Sequence, residues 1–148
     1  MPENREFRPA TTVEQFFNRA FGFAVGLGLG PSYAYLLEVK GRESGKVYST
    51  PVNLHEFAGK EFLVAPRGRT QWVRNAEAAG EVTLKKRSKQ LRFRLRPLED
   101  TEKPEVLKSY LSRYGGTVQR FFPLPPDSPL EAFAKIASGY PAFELIAA

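Results

Sequence analysis

The sequence predicts an α+β protein, mainly β, built as a small antiparallel barrel with helices packed outside it. Three observations carry that prediction. Short apolar or alternating runs recur between glycine-bearing turns, as antiparallel strands do. One helical stretch follows the third of these runs and two more precede the last strand, an order that suits helices laid against a closed sheet. A chain of 148 residues, 42% of them apolar, is enough for one core and leaves no need of a second domain.

The elements follow in chain order. Met1–Pro9 is polar and reads as loose, so residues 1–11 are taken as a flexible arm and 12–148 as the single domain. Thr11 or Thr12 can cap a first helix, in which Val13, Phe16, Phe17, Ala20, Phe21, Ala24 and Val25 recur on one face. Gly22, Gly26 and Gly30 fall on a neighbouring stripe where another backbone can approach. Phe21 to Leu37 is uncharged, but its glycines and Pro31 interrupt it, and it is short for a bilayer span of roughly 20 residues. No transmembrane segment is expected; core packing is favoured, and a helix lying on a membrane surface stays open as the alternative.

Ser32–Gly41 then reads as a strand and Val47–Phe57 as its partner, joined by the turn GRESGK. Ala58–Pro66 supplies a turn and a third strand. Gly68–Gly80 reads as a helix, with Thr70 as its cap and Gly80 as its stop. Glu81–Lys86 and Gln90–Leu98 make a hairpin around Arg87 and Ser88. In its second arm Leu91, Phe93 and Leu95 alternate with Arg92, Arg94 and Arg96, giving one apolar and one strongly basic face. Helices at Thr101–Gly115 and Ser128–Gly139 flank a proline-rich connection, and Tyr140–Ala147 closes the chain as a strand.

Composition excludes several chemistries. Without cysteine there are no disulfides, thiolate metal sites or cysteine nucleophiles. His55 is the sole histidine and reads as a surface residue of its strand, which argues against hydrolytic triads and histidine-rich metal sites. The formal charge of +6 favours anionic partners without choosing among phosphates, polycarboxylates, nucleic acid or a membrane surface. No secretory signal pattern is visible, so a cytoplasmic location is expected, with membrane-peripheral contact as the alternative.

Two loops can hold anions. In the first, Arg42 and Lys46 flank Ser44 and Gly45, so cationic groups, a hydroxyl and free backbone N–H groups can converge. The alternative is a solvated hairpin tip in which Gly45 only permits positive φ. In the second, APRGRTQW, Arg67 and Arg69 run into a helix N-terminus, a natural phosphate seat; its alternative is a plain connection. The two loops end adjacent strands and can therefore face each other across a groove. Thr50-Pro51-Val52 interrupts the second strand, and the proline belongs at a bulge or edge where a flat ligand can reach the backbone. Trp72 either stacks on a ring or plugs the space between helix and barrel; Asn75 is either a polar anchor to a loop or a ligand contact. Because Phe93 points away from the arginines of its strand, a solvated basic face is favoured there and no nucleic-acid partner is expected.

The segments GRESGKVYSTPV, FLVAPRGRTQWVRNAEAAGEVTL and LEAFAKIASGYPAFEL together resemble the deazaflavin-dependent nitroreductase family, within the flavin/deazaflavin oxidoreductases of split β-barrel, flavin-reductase-like fold. The resemblance runs from the first strand to the C-terminus. It implies coenzyme F420 as cofactor, with FMN as the alternative, and hydride transfer to a small apolar or aromatic electron acceptor such as a quinone, nitro compound or activated alkene. The alternative is a binding protein on the same barrel, loaded with FMN, haem or a fatty acid. By resemblance, Arg42, Ser44, Gly45 and Lys46 contact the anionic tail or phosphate, and Thr50, Pro51 and Val52 border the ring. Ala65, Pro66, Arg67 and Gly68 hold the phosphate side, while Trp72 and Asn75 close the pocket. Glu43 and Tyr48 stand where many members carry basic residues, which implies a weaker grip on an oligoglutamate tail. Tyr114, in the helix expected to overhang the pocket, is a proton donor or a substrate wall, and Phe121 and Phe122 line an apolar cleft or belong to the core. Barrels of this kind often pair, which allows a homodimer.

Overall fold

The computed structural model describes residues 31–148; the arm and the first predicted helix, with its glycine stripe, lie outside the described residues. Seven strands, β1 (Ala34–Lys40), β2 (Val47–Asn53), β3 (His55–Phe57), β4 (Lys60–Val64), β5 (Glu81–Lys86), β6 (Lys89–Pro97) and β7 (Ala142–Ala147), form one sheet in the order β2-β1-β5-β6-β7-β4-β3. Every neighbouring pair is antiparallel. Helix α1 (Gln71–Ala79) joins β4 to β5, while α2 (Lys103–Val118) and α3 (Leu130–Ile136) lie between β6 and β7. The sheet curls until β2 touches β4. This is the expected α+β half-barrel with helices.

Period-two burial makes the β5–β6 hairpin. Val82, Leu84 and Phe93 are buried, and Val82 pairs with Phe93 across the strands. Arg87 makes the turn with φ of 56°. The basic face of β6 is laced with ion pairs, Arg92 to Glu81 at 3.3 Å and Arg96 to Glu144 at 2.9 Å and Glu102 at 3.0 Å. Helix α1 stops where expected, at Gly80, whose φ of 74° is left-handed and whose N–H donates to Ala76 O at 2.8 Å.

Three expectations about strands and helices need correction. The strand drawn from Val47 to Phe57 is two strands, broken at Leu54, which is buried and whose N–H donates to Tyr33 O at 2.8 Å. Pro51 does not interrupt β2; it pairs in register with Leu36. Since β2 ends the sheet order, a residue can point its N–H away from the only neighbour, and a proline there removes no ladder bond. The helix expected to end at Gly115 runs on to Val118.

The core has two parts. In one, Val73 and Ala76 of α1 pack with Leu37, Leu84, Phe93 and Phe143 of the sheet. In the other, Leu107 and Leu111 of α2 and Phe133 of α3 pack with Phe62, Val64 and Ala142 of β4 and β7. His55 belongs with the second: it is not a surface residue but 1% exposed. Its Nε2 lies 2.8 Å from Ser109 Oγ, and that hydroxyl donates to Val106 O at 2.9 Å, so the ring N–H must donate to the serine. Tyr110 and Tyr114 stand edge-on to the imidazole, with centroids 5.6 and 5.4 Å away. Burial, then the charge of Arg113, pushes its pKa down to about 4. The ring is therefore neutral and structural. Among the described residues no helix is long and apolar enough to cross a membrane.

Candidate functional site

A cleft of about 1270 Å³ opens between the turn after β1, strand β2, the loop after β4, the start of α1 and the end of α2. Of the residues singled out from the sequence, Arg42, Ser44, Thr50, Pro51, Val52, Ala65, Pro66, Arg67, Gly68, Trp72 and Asn75 line it. Gly45, Lys46 and Tyr114 do not.

The first turn is closed by its own hydrogen bonds. Gly41 N–H donates to Lys46 O at 2.6 Å, Gly45 N–H to Gly41 O at 3.1 Å, and Lys46 N–H to Ser44 Oγ at 3.2 Å. Arg42 N–H donates to Asn75 Oδ1 at 3.1 Å. Those amides are therefore spent inside the fold rather than converging on a ligand, and Gly45 serves the turn through its φ of 73°. Lys46 is exposed outside the cleft. Gly41 is needed for a different reason: a Cβ there would sit 2.5 Å from Cε2 of Tyr48, whose ring lies against the turn with its hydroxyl 3.2 Å from Ser44 Oγ. Tyr48, where a basic residue was expected by resemblance, props the turn.

Of the two basic side chains of this turn, only that of Arg42 lines the cleft. Its Nη1 donates to Asn75 Oδ1 at 2.8 Å and Gln71 Oε1 at 3.0 Å. Both acceptors are neutral, and none of the ion pairs among the described residues includes Arg42. Arg69, by contrast, is turned outward onto Glu77 at 2.7 Å.

Beside Arg42, whose Nη1 reaches Gln71, lies the N-terminus of α1. Thr70 occupies the cap position, but its hydroxyl caps nothing; Oγ1 is buried without a hydrogen-bond partner, and the first turn carries no acidic residue. The opening amides of α1 have no acceptor within the helix. A buried orphan hydroxyl, unclaimed amides and an uncompensated guanidinium on one cleft fit a phosphate or carboxylate. The two loops meet although their strands are not neighbours, since β5, β6 and β7 separate β1 from β4 in the sheet. Curling of the sheet, and Asn75 reaching from α1 to Arg42, bring them together.

The far wall comes from α2. Tyr110 lines the cleft and hydrogen-bonds Asn53, and burial pushes its phenol pKa up. Tyr114, one turn later, is 3% exposed and donates its hydroxyl to Leu54 O at 3.3 Å, while its ring packs edge-on against Tyr33 at 4.8 Å. Both tyrosines belong to the core, but only Tyr110 also lines the cleft, so the wall position expected of Tyr114 falls to Tyr110. Phe121 lines the cleft beneath the Arg120 guanidinium, 4.7 Å from the ring centroid, whereas Phe122 is core and stacks on Tyr140 at 4.5 Å. Trp72 satisfies both of its readings, lining the cleft while its ring sits 6.2 Å from that of Phe143. Sequence reasoning singled out none of Tyr110, Asn53, Val118 and Arg120; the one available signal was that Tyr110 and Tyr114 share a helical face. Among the described residues no cluster of histidine, aspartate and glutamate can hold a metal ion.

The family model described as F420H(2)-dependent quinone reductase matches residues 11–120. Among solved structures, an F420-H2 dependent reductase, FDR-A, is 22% identical with a TM-score of 0.53, over 77% of this chain and 94% of that one. A protein described as a domain-swapped dimer is 22% identical with a TM-score of 0.54, over 90% and 92%. HutZ, the heme storage protein from Vibrio cholerae, is 11% identical with a TM-score of 0.54, over 93% and 92%. These likenesses establish the fold. No curated protein matches the chain.

Proposed function

Because the chain belongs to the F420H(2)-dependent quinone reductase family, and is thus an F420-dependent oxidoreductase, we propose that its cleft seats coenzyme F420 beside an electron-poor organic acceptor such as a quinone, a nitro compound or an activated alkene. The observation that carries this reading is the convergence of the Arg42 guanidinium, the buried orphan hydroxyl of Thr70 and the uncapped start of α1 on one cleft. Arg42, Arg67 and the α1 amides hold the phosphate and the acidic tail. The backbone of Thr50, Pro51 and Val52 borders the ring, since an edge strand leaves one side open to a flat ligand. Bound in its reduced form, the deazaflavin supplies a hydride.

The acceptor needs a proton as well as a hydride. Tyr110 stands in the cleft wall, and because burial raises its pKa its hydroxyl is suited to orienting an acceptor oxygen by a hydrogen bond rather than to giving up its proton; the acceptor's proton follows from solvent. Trp72, Val118 and Phe121 exclude water from the reacting atoms and give the acceptor an apolar wall. Fluorescence titration with F420 tests the assignment: micromolar binding is expected in the native protein, weakened about ten-fold or more in Arg42→Ala, in line with loss of a charge-assisted contact. A native protein that leaves F420 fluorescence unchanged, or that takes FMN instead, sinks it.

A further inference from the structure

Asn75 and Gln71 hold Arg42 without neutralising it, and we propose that these two carboxamides are positioning residues that set the affinity of the cleft for an anionic ligand by keeping the Arg42 charge intact. The inference rests on the reading of the cleft as an F420 site.

Asn75 is 4% exposed and sits on α1 facing the first turn. Its orientation is fixed, because Arg42 N–H and Arg42 Nη1 are both donors and only the amide oxygen can meet them, at 3.1 and 2.8 Å. Gln71, one helical turn earlier on the same face, offers a second neutral oxygen at 3.0 Å. A carboxylate at either position would bind the guanidinium more strongly. The protein makes such pairs elsewhere. Arg69 is matched with Glu77 on this same helix, and Arg92 and Arg96 with glutamates on the sheet. At Arg42 alone among these, the geometry of a clamp is kept and its negative charge left out. The guanidinium is thus locked in direction by two hydrogen bonds, while its unit charge remains available to a ligand in the cleft.

A clamp that serves only the turn predicts that ligand affinity follows stability. A clamp that preserves charge predicts that the two separate. Asn75→Asp keeps the acceptor oxygen and the shape, so melting temperature is expected to hold or rise while affinity for F420 falls about ten-fold, as expected for placing a carboxylate within a few ångströms of the seat. Gln71→Glu, at an exposed position that does not threaten folding, is expected to lose about three-fold, a loss that shrinks in high salt, while the loss at buried Asn75 persists. Asn75→Ala loses affinity and stability together. Inorganic pyrophosphate, followed through the Arg42 side-chain NMR signal, probes the same seat without the coenzyme. A signal that shifts in the native protein and not in Asn75→Asp supports the inference even where F420 itself fails to bind. Native-like affinity in both acidic variants, or losses that simply track melting temperature, overturns it.

Discussion

With its Nε2–H committed to Ser109 and its Nδ1 buried without a partner, the His55 ring has nowhere to share the charge of a second proton. Its folded pKa of about 4 lies below the unfolded value of 6.5, so the unfolded chain takes up the proton first as pH falls. The stability held by the neutral ring is therefore fully present above pH 6.5 and is lost between 6.5 and about 4, in an amount of about 2–3 kcal/mol. Melting temperature is expected to be flat from pH 8 to 7 and to fall below 6.5. In His55→Gln, less stable overall for want of the ring, the decline between pH 6.5 and 5 should be shallower; parallel profiles would show that the histidine is not what titrates. The sequence shows a lone histidine in a strand and nothing of what covers it. Its partner Ser109 lies 54 residues downstream, and Tyr110 and Tyr114 come from successive turns of α2. The same helix hides which tyrosine reaches the cleft, because residues four apart share a face and only the packing on β4 and β7 sets its rotation.

Elements were legible where local chemistry and burial agree. In β6 the alternation of Leu91, Phe93 and Leu95 with arginines matches the buried and outer faces, and Gly80 ends α1 because only a left-handed residue closes that turn. They were not legible where the sheet overrules the chain: Pro51 points to a bulge or an edge and only the sheet order selects the edge, with no interruption of β2, while the true break, Leu54, carries no turn residue at all. Helix α2 is the opposite case. Gly115 and Gly116 signal a stop, yet the helix continues because Leu111, Tyr114 and Val118 keep its apolar face in the core. Neither glycine has a positive φ, and a Cβ at either would meet no atom within 4 Å. Gly115→Ala and Gly116→Ala should therefore each stabilise the protein by about 0.5–1 kcal/mol, seen as a rise of a few degrees in a thermal melt. A fall in melting temperature would show that a bare backbone is needed there.

At the scale of the whole molecule, the cleft lies on the seam between the two parts of the core. Val64, Tyr110 and Val118 come from the part built on α2 and α3, while Ala65, Trp72 and Val52 belong to or pack on the part built on α1, and all six line the cleft. Residues 64 and 65 change sides within a single step along the chain. Strand order suggested that the two loops face each other, though for the wrong reason, since their strands are not neighbours, and no local pattern adds the end of α2 to the same space. A ligand held there contacts both parts and cannot stay bound if either opens. Coenzyme F420 at a hundred times its dissociation constant should accordingly stabilise the fold by about 2.7 kcal/mol, the amount that mass action gives for a ligand of the native state alone. Calorimetry should show one transition moving upward as a unit, and Arg42→Ala should move less at the same ligand concentration. Two transitions, of which only one responds to F420, would place the ligand within one half and refute a cleft that ties the halves together.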